Sequence, residues 1–177
     1  SFDTSSAADG PTTTIVTDSD EGAIFLASMG KTAAGAVTVD NSSSSITTTG
    51  TDSHAIQAES ISTNGATGAI TVDTDGGLIT LAGSGDTSAI RALSHAQGAT
   101  ASAGAVTVTN IGGEITSATG GNAYTVDARS ISDSGDAQSV TFDNTGGFIS
   151  TNSAVGAVYL RSSANSGAST LNKVLAT

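Results

Sequence analysis

Ala55-Ile56-Gln57-Ala58-Glu59-Ser60 and Ala89-Ile90-Arg91-Ala92-Leu93-Ser94 are two copies of one phrase, and the chain holds five of them. The others are Ala23-Ile24-Phe25-Leu26-Ala27-Ser28, Thr125-Val126-Asp127-Ala128-Arg129-Ser130 and Ala157-Val158-Tyr159-Leu160-Arg161-Ser162. Their serines stand 32, 34, 36 and 32 residues apart. A near-fixed period of this size is the signature of stacked structural repeats.

Two further columns keep the same period. One is Val37-Thr38-Val39-Asp40, Ile70-Thr71-Val72-Asp73, Val106-Thr107-Val108-Thr109 and Val140-Thr141-Phe142-Asp143. The other is Ile46, Ile79, Ile115 and Ile149, with Ile15 preceding it. Three of these isoleucines follow the glycine pairs Gly76-Gly77, Gly112-Gly113 and Gly146-Gly147. Each period thus holds three short segments separated by Gly, Ser, Asn and Asp. Within a segment apolar residues alternate with polar or small ones, which is the period of a strand. Thr, Ser, Gly and β-branched residues dominate, and helix formers never gather at helical spacing. Three strands per period with polar corners describe one coil of a β-solenoid. Like segments stack in parallel at about 4.8 Å per coil. Parallel crossovers favour one hand. The expected fold is an all-β, right-handed parallel β-helix of about five coils, a single solenoid segment over residues 1–177.

Composition agrees with a narrow core. The chain has 22 Gly, one Pro, no Cys, no Trp and 3% aromatic residues. Each coil turns only a few Ile, Val, Ala and Ser inward, so one coil alone is unstable and stability accumulates through neighbouring coils. Disorder would also suit a polar, acidic chain. A disordered segment, however, has no reason to hold three apolar columns in phase.

The net charge is -11, from 16 acidic and five basic residues. That argues against nucleic acid and against an anionic membrane surface as partners. No apolar run is long enough to span a bilayer. No signal peptide is legible and the chain starts at Ser1. The segment is therefore expected to be a mature fragment or a stretch of a longer repeat protein.

Ser53-His54-Ala55-Ile56-Gln57-Ala58-Glu59-Ser60-Ile61, followed by Gly68-Ala69-Ile70-Thr71-Val72 and Gly77-Leu78-Ile79-Thr80, resembles the repeats of large bacterial autotransporter passenger regions, the haemagglutinin-like β-solenoid adhesins. Such repeats run small-His-small-Ile-x-Ala-Gln-Ser-Ile, then a glycine run, then two Val/Ile strands. The likeness covers most of the chain. It departs where Ser62-Thr63-Asn64-Gly65 and Ser132-Asp133-Ser134-Gly135 replace the glycine run. The resemblance implies a secreted rod at the bacterial cell surface, with a host or neighbouring-cell surface protein or glycan as partner.

The residues offer little for catalysis, and no catalytic, cofactor or metal residues are assigned. His95 adjoins Ser94, yet neighbours in a strand point to opposite faces. The repeated serines share parity with the inward Ile and Ala, so they are expected to satisfy one another or the backbone inside the coil. Asp40, Asp73 and Asp143 end the second strand and suit corner capping. Calcium would need six to eight oxygen ligands, and the glycine-rich nonapeptide of calcium-loaded β-rolls is absent. Asn41, Asn110 and Asn144 fit an asparagine ladder. Thr38, Thr71, Thr107 and Thr141 form one outward column, short of the flat double array that ice binding would suit.

One face differs. The outward positions of the first strand carry Phe25, Gln57, Glu59, Arg91, Asp127, Arg129, Tyr159 and Arg161. All three arginines of the chain lie there beside aromatics, residue types favoured at interfaces. Pairing between coils, Arg91 with Glu59 and Asp127, is an equally simple account of them. Three functional expectations follow. The first is an adhesive or spacing rod with that face as its lateral contact. The second is a filament subunit that self-associates through its solenoid ends. The third is a β-helix enzyme acting on polysaccharide, which would require a groove with converging acids.

Overall fold

In a computed structural model, residues 1–3, 14–19, 22–118, 122–168 and 173–175 are described, and those described form an all-β parallel solenoid without a helix. The repeated phrase builds the long-strand sheet: β3 (Ile24–Gly30), β6 (Ile56–Ser62), β9 (Ile90–Ala96), β12 (Val126–Ser132) and β15 (Val158–Ala164). The second sheet stacks β1 (Phe2–Asp3), β4 (Val37–Asp40), β7 (Ile70–Asp73), β10 (Val106–Thr109), β13 (Val140–Asp143) and β16 (Lys173–Leu175). The third stacks β2 (Thr14–Thr17), β5 (Ser45–Thr48), β8 (Leu78–Leu81), β11 (Glu114–Ser117) and β14 (Phe148–Thr151). Every pairing is parallel, and each coil contributes one strand to each sheet.

The register matches the repeat columns residue for residue. Ile24, Ile56, Ile90, Val126 and Val158 lie opposite one another in sequence of coils. So do Ile15, Ile46, Ile79, Ile115 and Ile149. A one-residue slip would turn every inward side chain to solvent, so the buried columns fix the register. The three inward columns form one continuous core that runs through all coils. Burying each Ile or Val there contributes roughly 1.5–3 kcal/mol.

The corners follow their own chemistry. At the turn after the second-sheet strands, Ser43, Gly76, Gly112 and Gly146 have φ of 56°, 63°, 67° and 65°. That left-handed conformation favours glycine, which is why the glycine pairs recur. Asp40 Oδ1 accepts from Ser42 N at 3.0 Å, Asp73 Oδ1 from Asp75 N at 3.0 Å and Asp143 Oδ1 from Thr145 N at 3.0 Å. The acidic column is thus corner capping. Thr109 breaks it, and the coil below repairs the gap: Asp75 Oδ1 accepts from Ile111 N at 2.7 Å. Of the expected asparagine column, Asn110 and Asn144 are joined directly, Thr74 takes the place between Asn41 and Asn110, and Asn41 donates from Nδ2 to Ser44 O at 3.5 Å. Thr74 Oγ1 donates to Asn110 Oδ1 at 3.1 Å, and Asn110 Nδ2 donates to Asn144 Oδ1 at 2.6 Å.

The repeated serines line the interior side of the next corner. Ser60, Ser94 and Ser130 are fully buried. Ser60 Oγ accepts from Gly68 N at 3.2 Å and donates to Gly35 O at 2.9 Å. Ser94 Oγ accepts from Gly104 N at 3.0 Å and contacts Thr67 Oγ1 at 2.6 Å. In the next coil Gln138 replaces that glycine, its N–H goes to Ala103 O at 3.3 Å, and Ser130 Oγ has no partner.

Candidate functional site

The long-strand sheet turns three columns outward. They are Phe25, Gln57, Arg91, Asp127 and Tyr159; then Ala27, Glu59, Leu93, Arg129 and Arg161; then Met29, Ile61, His95, Ile131 and Ser163. The first two columns are the expected contact face. Its members are not equally available. Phe25 is 56% exposed, whereas Glu59 is 6% and Asp127 9% exposed. These two carboxylates lie beneath arginines and do not present a surface of their own. The third column lies beyond the repeated serine, where the five residues share neither type nor charge. It adds an apolar edge with Met29 exposed.

Charge on this face is organised in pairs. Gln57 Nε2 donates to Glu59 Oε1 at 2.8 Å, and Arg91 Nη2 stands 3.6 Å from the same oxygen. Arg129 donates from Nε and Nη2 to the two oxygens of Asp127, both at 2.6 Å. Arg91 therefore pairs diagonally with Glu59, while Asp127, opposite Arg91 in register, is taken by its own strand neighbour. The Asp127 hydrogen bonds push the Arg129 pKa further up. Arg129 also places Cζ 5.1 Å from the centroid of the Tyr159 ring, a cation–π geometry. Tyr159 in turn stacks on Tyr124, with centroids 4.8 Å apart and planes at 20°. Arg161 sits at the edge and donates from Nη2 to Ser163 Oγ at 3.2 Å.

Arg91, Asp127 and Arg129 of this face border a recess of about 320 Å³ where the long-strand sheet meets the corners from the third sheet. Its walls are Arg91, Asp127 and Arg129 from the strands, and His54, Asp86, Asn122 and Tyr124 from three successive corners. The corner residues were missed by the sequence reading, yet a signal existed. Ile90 follows Ile79 by eleven positions and Val126 follows Ile115 by eleven, whereas Val158 follows Ile149 by nine. The corners before β9 and β12 are thus two residues longer than the one before β15. Gly156, at φ 126°, occupies the short corner. A side-chain carbon there would meet the Tyr124 ring at an ordinary 3.7 Å, so it is the backbone conformation and not lack of space that favours glycine.

The corners are tied to one another across coils. Asp86 Oδ1 accepts from Asn122 N at 2.7 Å. His54 Nδ1 lies 3.0 Å from Ser88 N and 3.1 Å from Ser88 O. Burial lowers the His54 pKa from its ordinary value. The neutral ring accepts the Ser88 N–H at Nδ1 and carries its own proton on Nε2.

No hydrolytic arrangement joins these groups among the described residues. Ser94 Oγ contacts Thr67, Gly68 and Gly104 in the interior. His95 Nε2 meets Asp133 Oδ1 at 3.2 Å on the outer surface. No set of three His, Asp or Glu side chains among the described residues could hold a metal ion. Among the described residues no helix is long and apolar enough to cross a membrane. What the recess can do is bind: it combines a fixed aromatic ring, guanidinium donors and carboxylate acceptors in one concavity. Compared with protein-family models, with curated proteins and with solved structures, the chain matches none.

Proposed function

We propose that the chain is a rod displayed on a bacterial cell surface, which makes adhesive contacts through the recessed part of its long-strand sheet. The observation that carries this reading is the recess itself. At the corner after the second sheet, Asp, Asn and Thr side chains cap the backbone coil after coil. At the recess the corners instead border a cavity lined by arginine, tyrosine and acid. Arginine and tyrosine are the side chains that dominate contact energies at interfaces. The parallel solenoid supports a mechanical role, since its hydrogen bonds run along the rod axis between coils. The repeat phrase resembles autotransporter passenger repeats, which supports display outside the cell.

The test is attachment. Beads coated with the chain are scored for binding to bacterial and animal cells. Coating with Arg129→Ala or Tyr159→Ala should reduce attachment at least tenfold, whereas Thr71→Ala on the second sheet should not. Attachment that is indifferent to both face variants would refute the lateral contact. Failure to recover the parent protein in a surface fraction would refute the location.

A further inference from the structure

Resting on that lateral-contact reading, we infer that the recess takes a neutral pyranose ring, a sugar unit carrying neither carboxylate nor amine charge. At about 320 Å³ it lies at the small end of ligand pockets, which run about 300–1,000 Å³. That suits a compact ring compound better than a folded protein surface. Tyr124 lines the recess, and stacking on Tyr159 fixes its ring, so an aliphatic ring can pack against it without first ordering a side chain.

The polar groups match hydroxyls. Arg91 is 3.6 Å from Glu59, beyond hydrogen-bond reach, so its donors face the recess without a protein acceptor at bonding distance among the described residues. Asp86 commits Oδ1 to Asn122 N, which leaves its second oxygen as an acceptor. A sugar hydroxyl both donates and accepts, and so serves either group. Charge narrows the class further. The wall balances two guanidinium groups, Arg91 and Arg129, against two carboxylates, Asp86 and Asp127, so it offers a charged side chain no net attraction. The net charge of -11 opposes a polyanion. Inside the recess Arg129 is neutralised by Asp127 and Arg91 faces Glu59. A neutral polyhydroxylated ring satisfies the donors and acceptors and needs no net charge on the wall.

The experiment is an NMR titration of the purified chain with methyl glycosides of glucose, galactose, mannose and N-acetylglucosamine. Oligolysine and a sulfated polysaccharide run as separate arms. At least one glycoside is expected to move the amide signals of Asn122 and Tyr124. Tyr124→Ala and Arg91→Gln should weaken it tenfold or more, while Tyr124→Phe keeps it. Arg91→Leu, which removes the donors from that wall, supplies the same reading if Tyr124→Ala fails to fold by circular dichroism. Absence of any glycoside response, binding of only a charged probe, or binding that survives Tyr124→Ala or Arg91→Leu would each overturn the inference. If glycosides fail while bead attachment still falls with Arg129→Ala, the ligand class is wrong and the lateral contact stands. If attachment also ignores Arg129→Ala, both fail.

Discussion

Gly104→Ala tests the stacking of corners most sharply. The new methyl carbon would collide with the Gly68 carbonyl group and come within 2.7 Å of Ala69 N. All of these are backbone atoms of the coil below, so the corner itself must shift. The shift removes the Gly104 N–H from Ser94 Oγ, 3.0 Å away, and from Thr67 Oγ1, 3.1 Å away. The fourth coil already displays the outcome. Gln138 occupies the equivalent position, its N–H bonds elsewhere and Ser130 is left without a partner. A lost hydrogen bond costs about 0.5–1.5 kcal/mol. Overpacking adds about 1–3 kcal/mol. The sum of roughly 2–4 kcal/mol should lower the urea midpoint by about 1–2 M. Gly35→Ala is the control, since its added carbon would meet only Ser28 Oγ at 3.4 Å. There the stiffer unfolded chain should give no loss, or a gain of about 0.4–1 kcal/mol. Both midpoints are read by far-UV circular dichroism. Equal midpoints for the two variants would show that corner stacking at Gly104 is not as described.

Three further outcomes are expected. Ser130→Ala should leave stability within about 0.5 kcal/mol of the parent or raise it, whereas Ser94→Ala should cost about 1–3 kcal/mol by stranding buried partners, both read from urea midpoints. Asp75→Ala should destabilise by uncapping Ile111 N, and Asp75→Asn, which keeps an acceptor, should not. Burial raises the Asp75 pKa, so the Asn variant should gain relative to the parent as pH rises through that pKa, a comparison made by melting at a series of pH values. His54 has a folded pKa below its ordinary 6.5, so the folded state binds fewer protons; stability is complete above about that pH and falls below it, and His54→Gln should flatten that slope in acid melts.

The columns were legible because their physics is one-dimensional. A residue that must be buried in every coil recurs at every period, so Ile56, Ser60, Val72 and Ile79 announced their neighbours and their register. The corner acids and asparagines were legible for the same reason. The recess was not. His54, Asp86, Asn122 and Tyr124 stand in corners whose lengths differ from coil to coil, and a side chain that appears once leaves no period. Parity places Glu59 and Asp127 outward, where they stand, but does not say how far they are covered. Alternation states which way a side chain points, but an arginine from the same or the next coil can lie over it. The third outward column escaped because Met29, Ile61, His95, Ile131 and Ser163 share neither type nor charge.

Asp75 capping Ile111 makes the coils an ordered series, not exchangeable modules. The aspartate is useful only beneath a coil that lacks its own, and Thr109 is tolerable only above one that supplies it. Unequal recombination that deleted or duplicated a single coil would separate the two halves of this couple. The unit that can be copied or shuffled without damage is therefore a pair of coils with its shared boundary. Drift within the repeats should fall in matched changes on either side of that boundary.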